Sequence, residues 1–210
     1  MWEAILHGFV LALGLILPLG AQNAFVFNQG AAHGRFAKAA PVIVAASVCD
    51  TLLVSLSVLG ISVVVLEHAW IQTALYGAGV CFLTYMGFAA WRSKPTSDNG
   101  EAAQPKSLGT RKQVAFAVSV SLLNPHAILD TAGVIGTSSL HYEGSEKTAF
   151  AMACILVSWL WFAGLGIAGM TAGKLDPSGK LQSVLQSVSA IVIWGCAVYL
   201  GYGFVRSLAG

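Results

Sequence analysis

Charge is what this sequence has least of. Only 10% of its residues are Asp, Glu, Lys or Arg, against roughly 25% in an ordinary soluble domain. A chain so poor in solvating groups cannot dress a whole surface for water. The net charge of +2 provides no field for nucleic acid, and the Lys and Arg lie in connecting segments rather than on one face. Cysteine is scarce too. Cys49, Cys81, Cys154 and Cys196 each fall alone in a different apolar stretch, so no pair has metal-ligand spacing and no disulfide framework suggests itself. Neither a metal nor a cofactor is expected. Met1-Trp2-Glu3 offers no basic leader, and the apolar run behind it is longer than that of a signal peptide, so the first segment is expected to be retained.

Apolar residues are abundant instead: 56% of the chain, with a mean hydropathy of +0.74. This composition describes an all-α integral membrane protein, a single transmembrane domain over residues 1–210. About 20 apolar residues cross the roughly 30 Å hydrocarbon core as a helix, whereas a barrel shows short alternating segments. Six such stretches occur, at about 4–27, 39–66, 69–91, 114–138, 149–172 and 184–206.

Between the third and fourth the composition turns hydrophilic. Residues 92–112 are rich in Ser, Lys, Pro, Glu and Gln and form a linker without apolar periodicity. It divides the chain into 1–91 and 113–210, each with three spans. An odd number of crossings turns the second half upside down relative to the first, so the expected architecture is two inverted three-helix repeats.

Orientation follows from the cations, because the cytoplasmic side collects them. Arg35, Lys38, Arg92, Lys94, Lys106, Arg111, Lys112, Lys174 and Lys180 share one side, and only Lys147 and Arg206 lie on the other. The 92–112 linker is therefore expected in the cytoplasm and both termini outside.

Polar groups inside the spans are the candidate site. An Asp at a helix centre costs roughly 2.5–3.5 kcal/mol on insertion scales and persists only beside protein or water. Asp50 lies near the middle of the second span and Asp130 in the fourth. Pro18 and Pro125 lack an N–H and crowd the carbonyl four residues back, so each should break its helix. Five residues after each comes a polar side chain, Asn23 and Asp130, with Gln22 and Asn124 close by. Broken helices meeting near the midplane are where inverted-repeat transporters bind substrate. His126 is a candidate proton relay, or a histidine bonded to backbone freed by Pro125. The run Gly164-Leu165-Gly166-Ile167-Ala168-Gly169 has the dinucleotide-binding spelling but follows no strand and lies in hydrocarbon. Gly169 and Gly173 suit close helix contact instead, within the bundle or in a homodimer.

Gln22-Asn23-Ala24-Phe25-Val26 with Gln29-Gly30, and Asn124-Pro125-His126 running to Leu129-Asp130-Thr131, resemble the signature segments of the LysE family of lysine and arginine exporters. Length, six hydrophobic stretches and the mid-chain linker match as well, so the resemblance covers essentially the whole chain. It implies a multi-pass protein of the bacterial inner (plasma) membrane, a secondary transporter rather than an enzyme. Its cargo would be L-lysine or L-arginine, exported from the cytoplasm and driven by the proton gradient or membrane potential. The residue chemistry agrees in sign. Asp50 and Asp130 suit a cationic side chain and a coupling proton, while Asn23, Gln22 and Asn124 can hydrogen-bond the amino and carboxylate groups.

Two other classes are weighed against this. His126 and Asp130, four apart, with Cys49 beside Asp50, suggest a divalent-cation exporter, but no His or Cys clustering reinforces it. Asp50 and Asp130 could also form the acid pair of an intramembrane enzyme, although neither sits in a protease motif.

Overall fold

A computed structural model describes residues 1–17, 20–60, 69–92, 109–122, 127–128 and 131–175, together with single positions between 187 and 205. Every described element is helical. In order they are α1 (Trp2–Ile16), α2 (Ala21–His33), α3 (Phe36–Val58), α4 (Ala69–Arg92), α5 (Thr110–Leu122), a π-helix (Thr131–Gly136), the single turn α6 (Thr137–Ser139) and α7 (Gly144–Leu175). Among the described residues, α3 and α7 are each long and apolar enough to cross a membrane, and the bent pair α1 and α2 makes a third crossing if counted as one.

Several sequence-based boundaries move. The stretch expected as one span over 4–27 is two helices turned 79° from one another. The segment from Asn28 to Lys38, expected as a loop, is helical through His33 and again from Phe36. Gly34, at φ 59°, ends α2 in the left-handed conformation that a glycine adopts without a Cβ clash. Arg35, in extended backbone, then leads directly into α3. The loop expected at His141–Lys147 is shorter, since Gly144, at φ 50°, already opens α7. Hydropathy locates the hydrocarbon, and helices continue past it into the polar interface. The sixth stretch, 184–206, lies mostly outside the described residues, as do Pro18, Asn124, Pro125, His126 and Asp130.

With 32 residues, α7 is the axis of the bundle. At 1.5 Å per residue it is about 48 Å long, more than the hydrocarbon core needs. Helix α1 lies along its first half, where a Cβ on Gly8 would meet the Phe150 carbonyl and the Ala153 side chain. Helix α2 lies along its second half, and glycines let the backbones touch. A Cβ on Gly30 would strike the Gly166 carbonyl, one on Gly169 that of Phe27, and one on Gly173 that of Ala31. Thus Gly169 and Gly173 pack within the chain. Helices α1 and α2 thus follow the two halves of α7 in succession, and together, as a bent pair, they are long and apolar enough for one crossing. Helix α3 returns antiparallel to α7, with Ile43 against Gly166 and Asp50 against Ser158.

Two apolar layers result. Phe25, Val26, Ala39, Val42, Ile43, Ala46, Ala117 and Phe162 fill one, nearer the linker. Ala4, Ala12, Val54, Val58, Ile135, Phe150, Cys154 and Val157 fill the other. Outward, Val44, Val48, Leu52 and Leu56 on α3 and Met152, Leu156 and Leu160 on α7 recur every four residues and stay exposed. In water such stripes would aggregate; in acyl chains they are the expected surface. Helix α4 runs antiparallel to the last described positions, with Gly77 facing Phe204 and Gly87 facing Trp194.

Candidate functional site

Between the two apolar layers lies a polar one, at the level where α1 gives way to α2. Proline at 18 supplies no N–H to continue a helix, and Leu17 before it keeps right-handed helical geometry, its N–H bonded to the Leu13 carbonyl. Helix α1 accordingly ends at Ile16, and α2 restarts at Ala21 behind an extended Gly20 without a side-chain cap. The join sets the carbonyl end of one helix against the N–H end of the next, which leaves backbone groups to be satisfied.

Asn23 and Trp161 bridge that join. The Asn23 amide donates to the Ile16 carbonyl at 2.7 Å, and its oxygen accepts the Trp161 indole N–H at 3.3 Å. With 5% exposure, Asn23 is buried within the protein. Both ends of its amide therefore serve the broken helix, a structural duty that its expected role as a substrate ligand did not include.

Asp50 meets the residue next to Asn23 in the chain. Gln22 Nε2 donates to its Oδ1 at 3.2 Å, and Ser158 Oγ donates to its Oδ2 at 3.0 Å. Three helices, α2, α3 and α7, thus converge on one carboxylate. Among the described residues no Lys, Arg or His is paired with it. A carboxylate has about four lone-pair sites, so two neutral donors orient Asp50 and leave capacity for a cation. Beside it, Trp159 Nε1 donates to Thr51 Oγ1 at 3.1 Å, and Thr51 donates to the Ser47 carbonyl at 2.7 Å.

The structure therefore brings together Gln22, Asn23 and Asp50. Asn124, His126 and Asp130 lie outside the described residues, so a meeting of the two aspartates belongs to the proposal below. The chain immediately after Asp130 takes π-helical geometry over Thr131–Gly136 and packs on α3, with Gly136 facing the Ser57 carbonyl. Such wide turns recur at functional sites. Ser158 and Trp161 were not among the sequence-based candidates. Among the described residues, no three His, Cys, Asp or Glu side chains converge as a metal site would require.

Comparison with known proteins matches the sequence to a family. The profile of the LysE type translocator covers residues 13–203. The chain belongs to the LysE translocator family. It is similar to YisU of Bacillus subtilis (strain 168), provisionally named an amino-acid transporter, with 51% identity over 95% of this chain and 89% of that protein. It is also similar to the arginine exporter protein ArgO of Escherichia coli (strain K12), with 31% identity over 95% of this chain and 94% of that protein. ArgO of Shigella flexneri is 32% identical over 95% and 94%. No solved structure matches the chain. As a LysE-family protein, this chain is a membrane transporter for amino-acid export and not an enzyme.

Proposed function

We propose that this LysE-family protein exports arginine, with lysine as a weaker cargo, from the cytoplasm. The observation that carries this reading is the Asp50 carboxylate, set between two apolar layers and oriented through both oxygens by Gln22 and Ser158. A guanidinium is a planar fork that takes two carboxylate oxygens at once, and a carboxylate fixed in one plane suits it better than a free-turning one. The relatives named as arginine exporters support the same choice.

The broken crossing complements the rest of an amino acid. The N–H groups opening α2 favour the substrate carboxylate, and the carbonyl end of α1 favours its ammonium group. Asp130 is assigned the coupling proton, Asn124 a second hydrogen bond to the main-chain groups of the cargo, and His126 a relay. Six spans in two inverted repeats, the 92–112 linker in the cytoplasm and both termini outside complete the proposal. Transport is driven by the proton gradient or membrane potential.

The test is efflux of preloaded labelled arginine, lysine and a neutral amino acid from cells, with Asp50→Asn and Asp130→Asn at matched expression. Arginine efflux should collapse in the Asp50 variant. Undiminished arginine efflux in both variants would falsify the carboxylate mechanism.

A further inference from the structure

The interrupted crossing is tied to the part of the chain beyond the linker at each of its two ends, and each tie runs through a histidine. At the linker end, His33 Nδ1 lies 2.9 Å from the Gln29 carbonyl one turn back. Nδ1 donates its N–H to that carbonyl, which makes Nε2 the acceptor in the neutral ring. Gln113 of α5 donates its amide to that Nε2 at 3.0 Å and to the Lys38 carbonyl at 3.2 Å. One amide thus clasps α2, the start of α3 and the start of α5. Gln113 is 1% exposed.

At the opposite end, His7 Nδ1 is 2.9 Å from the Tyr142 hydroxyl, and the His7, Tyr142 and Phe150 rings pack together with centroids 5.4–5.9 Å apart. The N-terminal ammonium pairs with Glu146 nearby. The Asp50 layer lies between the two ties, separated from each by an apolar layer.

We propose that His33–Gln113 and His7–Tyr142 are the two gates of the transport path, the first closing its linker end and the second its far end. A carrier must expose one midplane site to each face in turn, and this requires two separable closures. Each tie adds side-chain hydrogen bonds to the packing of α1 and α2 on α7, so the side chains at one end can part while those at the other hold. Membrane helix hydrogen bonds contribute little enough individually for thermal opening. Buried groups along α2 and α3 mark the way from the linker gate to Asp50: Gln29 Oε1 and Ser47 Oγ have no partner among the described residues. Unpartnered polar atoms in an apolar layer are met most readily by water or by the polar part of a passing cargo.

The inference rests on the carrier reading, and its test does not depend on the cargo. In a background with Cys49, Cys81 and Cys196 replaced by alanine and Cys154→Ser, Ser158→Cys places a reporter thiol beside Asp50. Its labelling by a membrane-impermeant cationic methanethiosulfonate is timed in inside-out and right-side-out vesicles. Lys112→Cys in the same background identifies the linker face. Gln113→Leu should speed labelling from the linker face by a factor of about three to ten, the loss of roughly one net hydrogen bond, and leave the far face unchanged. Tyr142→Phe, which keeps the ring and removes the hydroxyl, should do the reverse. Where either variant aggregates, His33→Ala and His7→Phe replace them. Equal acceleration from both faces, or none from the expected face, overturns the gates. A failure of the unsubstituted protein to export arginine, alongside one-sided labelling in the reporter background, would remove the cargo assignment and leave the gates standing.

Discussion

Gln22 Nε2 stands 3.2 Å from Asp50 Oδ1, joining residues 28 apart in sequence. The bond links the helix that restarts after the break to the helix that carries the acid, so the interruption of one crossing orients the charge on another. Its counterpart from α7, the Ser158 hydroxyl on Oδ2, fixes the second oxygen. A single carboxylate is thereby the point on which three helices agree.

The first consequence concerns charge and orientation separately. Asp50→Asn keeps the shape and the chance of a bond to Ser158 but removes the anion, so arginine efflux should fall by roughly ten- to a hundredfold, the range of one lost hydrogen bond to a charged group. Ser158→Ala keeps the anion and frees Oδ2. Its loss should be smaller, about three- to tenfold, and Ser158→Thr should restore most of it. Initial efflux rates at matched expression separate the three variants, and an Ser158→Ala effect as large as that of Asp50→Asn would contradict this ordering.

A second consequence follows from the amide of Asn23. Both its ends are engaged, by Ile16 and Trp161, so its removal should act through the join rather than through cargo contact. Asn23→Ala leaves a carbonyl and an indole N–H to find other partners and should lower stability by about 1–3 kcal/mol. Trp161→Phe removes one bond of the pair and should cost less. Melting of the detergent-solubilised protein reads the loss, and the half-saturating arginine concentration should move little. A large rise in that concentration with stability intact would instead make Asn23 a ligand.

How much of this was legible beforehand varies with the physics behind each residue. An acid in an apolar run is conspicuous, because its desolvation demands a partner, and Asp50, expected beside protein or water, is bonded to Gln22 and Ser158. The break after α1 was legible from Pro18, but the extent of α2 was not: Asn28, Gln29 and His33 are polar, and hydropathy takes polar residues for a loop even where α2 buries Gln29 against its neighbours. Ser158 carried no distinguishing mark. Serines and threonines in apolar helices ordinarily bond the carbonyl one turn back, as Thr51, Ser57, Ser121 and Thr171 do here. Only tertiary packing shows that Ser158 turns to Asp50 instead. Trp161 was hidden for a related reason, since a tryptophan in a span is usually interfacial or lipid-facing and its N–H partner comes from another helix.

Glycine spacing gives a third prediction. In the run from Gly164 to Gly169, the spelling is shared with nucleotide-binding loops, but the spacing sorts the glycines by helix face. A Cβ on Gly169 would collide with the Phe27 carbonyl, whereas one on Gly164 would meet nothing within 4 Å. Gly169→Ala should therefore force α2 from α7 and destabilise by about 1–3 kcal/mol, the usual range for overpacking. Gly164→Ala should be neutral or slightly stabilising, because alanine favours the helix. Thermal melting of both variants in detergent checks the contrast, and equal effects would contradict the assigned faces.

The last prediction concerns what the oriented carboxylate prefers. Arginine and lysine carry the same charge, but only the guanidinium engages both oxygens of a fixed carboxylate at once. Citrulline has nearly the outline of arginine and no charge. If Asp50 reads charge through a fork, efflux should follow arginine over lysine by about tenfold, equivalent to roughly one additional well-placed hydrogen bond, and citrulline should leave at background rate. Ser158→Ala should narrow the gap between arginine and lysine, because a carboxylate held at one oxygen can turn to meet a single ammonium group. Competition between labelled arginine and an excess of each compound in inside-out vesicles measures all three preferences. Citrulline competing as well as arginine would mean that the site reads shape, and the charge on Asp50 would then belong to coupling rather than recognition.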